Sequence, residues 1–446
     1  MTNRVSLISI FLILLNSVTI AQEKSITFKL TQLLDSALQN NYLLQANQKN
    51  ILIKQAEIEE LKTNYQPKIS ASADFSFWKF LMPNKQKTLG DALTDMYTNI
   101  SVYQTIYDWG ENEAKKSVVE EEIKMNDEIQ RQLRHTIIWG VSDAYFEALK
   151  AQSEISTHKN ALQQLKSHLQ YAENLYSIGK VSYVDVLKIN VQISVEEKTL
   201  QKAQNARLNE LIKIKRLCYL KEDEILNIED ISESLYNVTS ELSFSSYSLY
   251  DTAFQNHPVL LSGNRKISIE ARQRDIYRLQ NRPELFSYGV GSWEHSYIPF
   301  GDNFNYNIGV GLRYTLPYWG GSSYKSKMVQ SDYRIEQMNY ENDQALVDIK
   351  KEIDITLNTL NDIKKEISNN KKIISLAEET LNNALVKYQA GQGIIIDILD
   401  AQTILTETTI AYNISTINYL QAMVKLHYLT GNDDYPFNNI GNETHF

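Results

Sequence analysis

The chain has 446 residues, and its 45 Lys and Arg against 54 Asp and Glu give a net charge of -9, with apolar residues at 43%. That composition excludes disordered and collagen-like classes, and the acidic balance supplies no basic footprint for nucleic acid. A single cysteine, Cys218, excludes an internal disulfide framework and any multi-cysteine metal site, while a mean hydropathy of -0.37 excludes a bundle of membrane-spanning helices. In chain order, the first element is an export signal. Arg4 precedes an apolar run from Val5 to Leu15, and Thr19-Ile20-Ala21 ends it on a small residue. A positive start, a short apolar core and a small-residue end predict a secretory signal over residues 1–21. Gln22, not a cysteine, follows Ala21 directly, so a lipid anchor on that new terminus is not expected.

Beyond the signal the chain reads as one unit written twice. Segment 37–67 (ALQNNYLLQANQKNILIKQAEIEELKTNYQP) parallels 253–283 (AFQNHPVLLSGNRKISIEARQRDIYRLQNRP), with Ala37, Asn40 and Pro67 matching Ala253, Asn256 and Pro283. Thr105, Trp109 and Gly110 match Thr315, Trp319 and Gly320, and Tyr176, Gly179, Asp185 and Leu187 match Tyr388, Gly391, Asp397 and Leu399. The spacing predicts a first repeat over 22–231 with a helix, a strand pair at 68–80 and 97–107, a long helix at 111–178 and a helix at 182–219. The second repeat, 232–431, carries a helix, a strand pair at 285–293 and 304–316, a long helix at 322–389 and a helix at 394–429. A polar tail, 432–446, follows.

The helical stretches lack proline from Glu111 to Leu220 and from Trp319 to Tyr435. Proline costs a helix interior about 3 kcal/mol, so its absence suits long helices. Leu346, Ile353, Leu360, Ile367, Ile374 and Leu381 fall seven apart, beside Ile349, Thr356, Ile363, Asn370, Ala377 and Ala384. Val141, Ala148, Ile155, Leu162 and Leu169, with Ile137, Ala144, Ala151, His158, Leu165 and Ala172, keep the same register. A sustained heptad repeat predicts left-handed supercoiling. Gly179 and Gly391 interrupt these rows, and glycine suits a left-handed helix end, so each repeat is expected to make a helical hairpin.

The strand stretches alternate with period two. Ile69, Ala71, Ala73, Phe75 and Phe77 interleave with Ser70, Ser72, Asp74 and Ser76. Phe304, Tyr306, Ile308, Val310, Leu312, Tyr314 and Leu316 interleave with Asn305, Asn307, Gly309, Gly311, Arg313 and Thr315. Strands of about ten residues with one aromatic-rich dry face fit a transmembrane barrel. Trp109 and Trp319, with Tyr107 and Tyr318, then stand as interfacial aromatics in contact with outer-membrane lipid. Four strands cannot close a barrel, because small membrane barrels need about eight and lipid tolerates no open edge. Oligomerisation is therefore expected, and the strand count alone leaves two or three protomers open.

The openings LTQLLDSALQNNYLL (30–44) and SLYDTAFQNHPVLL (248–261), and above all YQAGQGIIIDILDAQ (388–402) with its twin YSIGKVSYVDVLKIN (176–190), resemble the TolC-like outer-membrane channel family. The resemblance implies an α+β membrane protein: a homotrimer with a twelve-stranded transmembrane β-barrel, four strands per chain, continued by a coiled-coil α-helical barrel in the periplasm. It also implies a passive exit duct of a tripartite efflux or type I secretion system, carrying drugs, small molecules or proteins. Its partners would be a periplasmic adaptor (membrane fusion) protein and an inner-membrane pump of RND, ABC or MFS type. The tips Gly179, Lys180, Val181, Ser182, Gly391, Gln392 and Gly393 would dock the adaptor. Asp397 and Asp400, three apart and so on one helix face, would form the periplasmic gate, with Asp185 and Tyr388 as latch residues. The family's latch arginine falls at a position occupied here by Gly393. Rival readings are a periplasmic coiled-coil adaptor and a structural surface protein.

No enzyme chemistry is legible. The seven histidines (135, 158, 168, 257, 295, 427 and 445) show no ligand spacing, and neither a GxSxG nor a P-loop is present. No cofactor is expected. His158, on a seam position, reads as a packed histidine, and Cys218 as a buried apolar residue.

Overall fold

The computed structural model describes residues 25–79, 92–221, 225–240, 242, 244–296, 301–314 and 323–433. The expected signal, most of the polar tail, Tyr318 and Trp319 lie outside them. The helices are α1 (Leu30–Asn40), α2 (Tyr42–Lys62), α3 (Glu111–Ser177), α4 (Tyr183–Leu217), α5 (Ser232–Thr239), α6 (Ser246–Asn256), α7 (Pro258–Leu279), α8 (Ser323–Gln389) and α9 (Ile395–Thr430). The strands are β1 (Ser25–Phe28), β2 (Lys68–Lys79), β3 (Ala92–Tyr107), β4 (Ile225–Ile228), β5 (Glu284–Ser296) and β6 (Gly301–Arg313). The chain divides into two compact units. One comprises residues 1–42, 133–253 and 350–446; the other comprises 43–132 and 254–349.

The first unit is helical. α3 and α8 are each 67 residues long, about 100 Å of helix at 1.5 Å per residue. Their heptad rows are the buried ones: Val141, Ala144, Ala148, Ala151, Leu165 and Ala172 on α3, and Ile353, Thr356, Leu360, Ile363, Ile367, Ala377 and Leu381 on α8. α9 adds Ile417, Leu420, Met423 and Val424. Cys218 is fully buried, and burial pushes its thiol up to about 12, so it is an apolar packing residue. His158 is no plain core histidine, because its Nδ1 lies 2.6 Å from the buried Glu196 carboxylate of α4. A two-stranded parallel sheet joins β1 to β4, pairing Ser25 with Ile225 through Phe28 with Ile228.

The second unit holds a four-stranded antiparallel sheet in the order β2-β3-β5-β6. β3 starts at Ala92, five residues before the expected strand, and pairs with β2 from Lys68↔Tyr103 to Lys79↔Ala92. β6 is shifted toward the N-terminus of the expected 304–316 and ends at Arg313. α3 and α7 share a buried carboxylate: Glu121 is 3% exposed and meets Lys124, Arg265 and Arg272 at 2.9, 3.3 and 3.1 Å. Burial alone raises its pKa, but Lys124 and the two guanidinium groups outweigh that and hold it below the usual carboxylate value. A depressed carboxylate stabilises the fold above its unfolded pKa and loses that contribution as pH falls through the folded value. Glu121→Gln is therefore expected to cost about 2 kcal/mol at pH 7. Urea denaturation at pH 7 and pH 3.5 checks it: the gap between variant and parent should close at the acidic pH.

Candidate functional site: hairpin tips and an amphiphilic sheet

Each hairpin turn in the first unit is built by the same local chemistry. Gly179 has φ +74° and Gly391 has φ +75°. The Gly391 amide donates to Tyr388 O (3.0 Å) and the Gln392 amide to Lys387 O (2.9 Å). Likewise Gly179 donates to Tyr176 O and Lys180 to Leu175 O, both at 2.9 Å. This paired arrangement satisfies the last carbonyls of α3 and α8 and requires a left-handed residue at the turn. Ala at 391 is expected to cost about 1–2 kcal/mol through that conformation, seen as faster protease nicking at 390–394. Ser182 opens α4, its hydroxyl accepting the Val184 amide at 3.2 Å. Lys180, Gln392 and both turn glycines are exposed, while Val181 and Gly393 are half-buried.

Gly393 has a separate role. A Cβ there would lie 2.9 Å from the Tyr388 amide nitrogen and 3.1 Å from Lys387 carbon. The turn folds back so tightly on the end of α8 that an arginine at 393 would force it open. This turn therefore has no space for a long side chain at position 393.

Behind the turns, the two hairpins pack side by side. Leu165, Ala172, Val186, Ile189, Ile193, Leu381, Tyr388, Ile395 and Ile398 form one buried cluster. Gln192 donates to Thr403 Oγ1 at 3.5 Å across it. Tyr388, 5% exposed, sits in this seam with its ring 6.4 Å from Tyr171. Its hydroxyl makes no hydrogen bond among the described residues, and burial, then the Asp185 carboxylate, push its pKa up. Asp185 and Tyr388 thus stand on different hairpins of one chain, with the carboxylate's charge felt at the phenol but no hydrogen bond between them among the described residues. Asp397 and Asp400 are exposed in the first turns of α9, where a helix N-terminus favours carboxylates.

In the second unit, cross-strand partners share a face, so the register assembles two chemically opposite surfaces. One carries Ile69, Phe75, Phe77, Ile100, Trp293, Phe304, Tyr306, Ile308, Val310 and Leu312, all exposed; Ile308 is 80% exposed. The other carries Ser70, Ser72, Ser101, Asn99, Ser292, Asn305 and Asn307. A cluster that alternation did not reveal lies at its Arg313 end. Tyr103 stacks on Phe286 at 5.1 Å, Arg313 covers Phe286 at 4.8 Å, and Tyr103 and Thr105 both donate to Glu284 at 2.9 Å. Gly311 makes room for it, since a Cβ there would come within 2.5 Å of the Phe286 ring.

At the strand-to-helix junction, Asp108 caps α3, accepting from Gly110 and Asn112 amides at 3.0 and 2.8 Å. Trp109 takes φ 57° there, and its ring lies 4.8 Å from Tyr107. No described helix is long and apolar enough to cross a membrane. Among the described residues no group of three His, Cys, Asp or Glu could hold a metal.

Residues 33–218 match the family described as outer membrane efflux protein. The chain is 20% identical to the outer membrane protein TolC of Salmonella enteritidis over 388 residues, covering 84% of this chain and 76% of that protein. It is also 20% identical to the outer membrane efflux protein BepC of Brucella suis over 406 residues, covering 90% and 84%. Among solved structures, CusC superposes with a TM-score of 0.77 at 15% identity, covering 91% of this chain and 93% of that one. The open state of the Neisseria gonorrhoeae MtrE outer membrane channel gives 0.71 at 15% identity, covering 90% and 88%. The efflux-protein match thus runs from the first helix to the end of α4, and over nine-tenths of its length the chain shares the fold of the outer-membrane channels it resembles.

Proposed function

We propose that the protein is the outer-membrane exit duct of a tripartite efflux or type I secretion system, conducting drugs, small molecules or proteins passively. The observation that carries this reading is the sheet: four strands, one dry face, one wet face, and edges β2 and β6 unpaired among the described residues. Lipid tolerates neither open edges nor an apolar face in water, so the strands must pool between copies. Three copies would give the twelve-stranded barrel. α4 supports the same assembly, for Val184, Leu187, Val191 and Val195 form a second apolar stripe left exposed in the single chain. The element order around the two strand pairs supports descent from one duplicated unit.

In this reading a periplasmic adaptor docks on the exposed tips around 178–182 and 390–394, and an RND, ABC or MFS-type pump supplies the energy. Asp397 and Asp400 would form rings of carboxylates near the duct's periplasmic mouth, where crowded like charge attracts cations. Asp397→Ala with Asp400→Ala is expected to raise the half-blocking concentration of a trivalent cation by roughly tenfold; unchanged block removes these residues from the constriction. The whole reading is tested by reconstituting the purified protein in a planar bilayer without nucleotide. Discrete channels support it, and a folded protein that stays in the aqueous phase in detergent partition and conducts nothing sinks it.

A further inference from the structure

A cavity of about 690 Å³ opens at the Arg313 end of β6, lined by Arg278, Asn281, Arg282, Pro283, Leu312, Tyr314 and Tyr324. Its two sides differ in chemistry. Leu312 and Tyr314 continue the dry face of β6, following the exposed row Tyr306, Ile308 and Val310. The opposite rim presents two guanidinium groups and the Tyr324 phenol. Arg278 pairs with Asp275 at 3.0 Å, which leaves further donors of its fork free to turn inward. Arg282 is exposed, and among the described residues none forms a side-chain hydrogen bond or ion pair with it.

The surroundings are also basic, and most of those charges are already used. Arg272 is held by Glu121, Arg274 by Asp332 at 2.6 Å, and Lys327 lies over the Tyr277 ring at 5.4 Å. Of the two guanidinium groups lining the cavity, that of Arg282 is left without a carboxylate partner among the described residues. An arginine fork matches a phosphate group bidentately, and an apolar track leading away from it suits an acyl chain. Basic pockets beside lipid-facing surfaces hold anionic headgroups by this combination.

We infer that this cavity is a binding site for an anionic phospholipid of the periplasmic leaflet, its phosphate on Arg278 and Arg282 and one acyl chain along Leu312, Val310 and Ile308. The inference rests on the barrel reading of the sheet, because only then does the β6 face meet acyl chains. A headgroup clamped there would fix the height of the barrel in the bilayer beside the interfacial tyrosines.

The test uses full-length protein extracted from outer membranes in mild detergent and examined by native mass spectrometry. Phosphatidylglycerol, phosphatidylcholine and inorganic phosphate are added in separate arms. Preferential retention of phosphatidylglycerol over phosphatidylcholine is expected. Arg282→Ala, which breaks no described contact, should weaken that retention about fivefold, and Arg278→Ala with Arg282→Ala roughly thirtyfold. Lys365→Ala, at an exposed lysine that among the described residues pairs only with Asp362, should change nothing. The inference is overturned if both lipids are retained equally, if the double variant retains phosphatidylglycerol undiminished, or if inorganic phosphate displaces it fully at equal concentration, which would mark a plain anion site. A protein that never enters detergent micelles overturns the barrel reading instead, so the two failures are distinct.

Discussion

Replacing Ile308 with lysine is expected to abolish stable membrane insertion, whereas lysine at the adjacent Asn307 leaves it intact. The two residues are neighbours in the middle of β6 and face opposite ways, Ile308 opposite Gly289 and Asn307 opposite Val290. Ile308 lies in the exposed apolar row, and lysine at the midplane of a barrel's lipid face costs about 2–4 kcal/mol. In the proposed trimer that would become on the order of 10 kcal/mol, as large as the stability of a typical domain. Heat-modifiable migration of detergent-extracted protein reads the outcome directly. Equal behaviour of the two variants would mean that the sheet has no lipid side.

The second large effect concerns the tip. Asp185→Ala with Tyr388→Phe is expected to raise single-channel conductance by roughly twofold or more, because it frees one hairpin to shift against the other as a rigid body. The geometry adds a condition. The Tyr388 hydroxyl is buried without a hydrogen bond, so its removal alone should leave thermal stability unchanged or slightly raised. Conductance and stability should therefore move independently. A double variant that conducts like the parent removes these residues from the latch, and one that merely melts earlier makes them packing residues.

The parts of this molecule that could be read from the chain are those governed by a short period. The seven-residue rows of α3 and α8 coincide with buried positions because burial in a supercoil recurs at that interval. Phe304 to Leu312 alternates cleanly because one whole face is apolar. The β1–β4 ladder was missed, since four residues are too few to show any period and its partners lie 200 positions apart. Residues 92–96, ALTDM, show no regular alternation of apolar and polar types, which hid the start of β3. Glu121 reads as an ordinary partner of Lys124; only the fold brings Arg265 and Arg272 to it. The Tyr103, Phe286 and Glu284 cluster is likewise a product of register, its members coming from two strands about 180 residues apart.

The site residues divide in the same way. The tip glycines announced themselves by interrupting the heptads, and their left-handed conformations explain why glycine stands there. Gly393 carried no signal of its own, because close approach to the Tyr388 backbone is a matter of the folded turn. Arg278 and Arg282 look like unremarkable charges in the sequence, and they become distinctive only where β6 places Leu312 and Tyr314 beside them.

The central claim is that the open edges β2 and β6 pair between chains and that the ring closes at three. It is tested most directly by cysteine crosslinking across those edges, in a Cys218→Ser background, with one cysteine at Ser72 on β2 and a second stepped along Asn303, Asn305 and Asn307 on β6. The account predicts a covalent ladder of one, two and three chains that saturates at three, with no intramolecular bond. Crosslinks confined to single chains, or a ladder that runs past three, would contradict it.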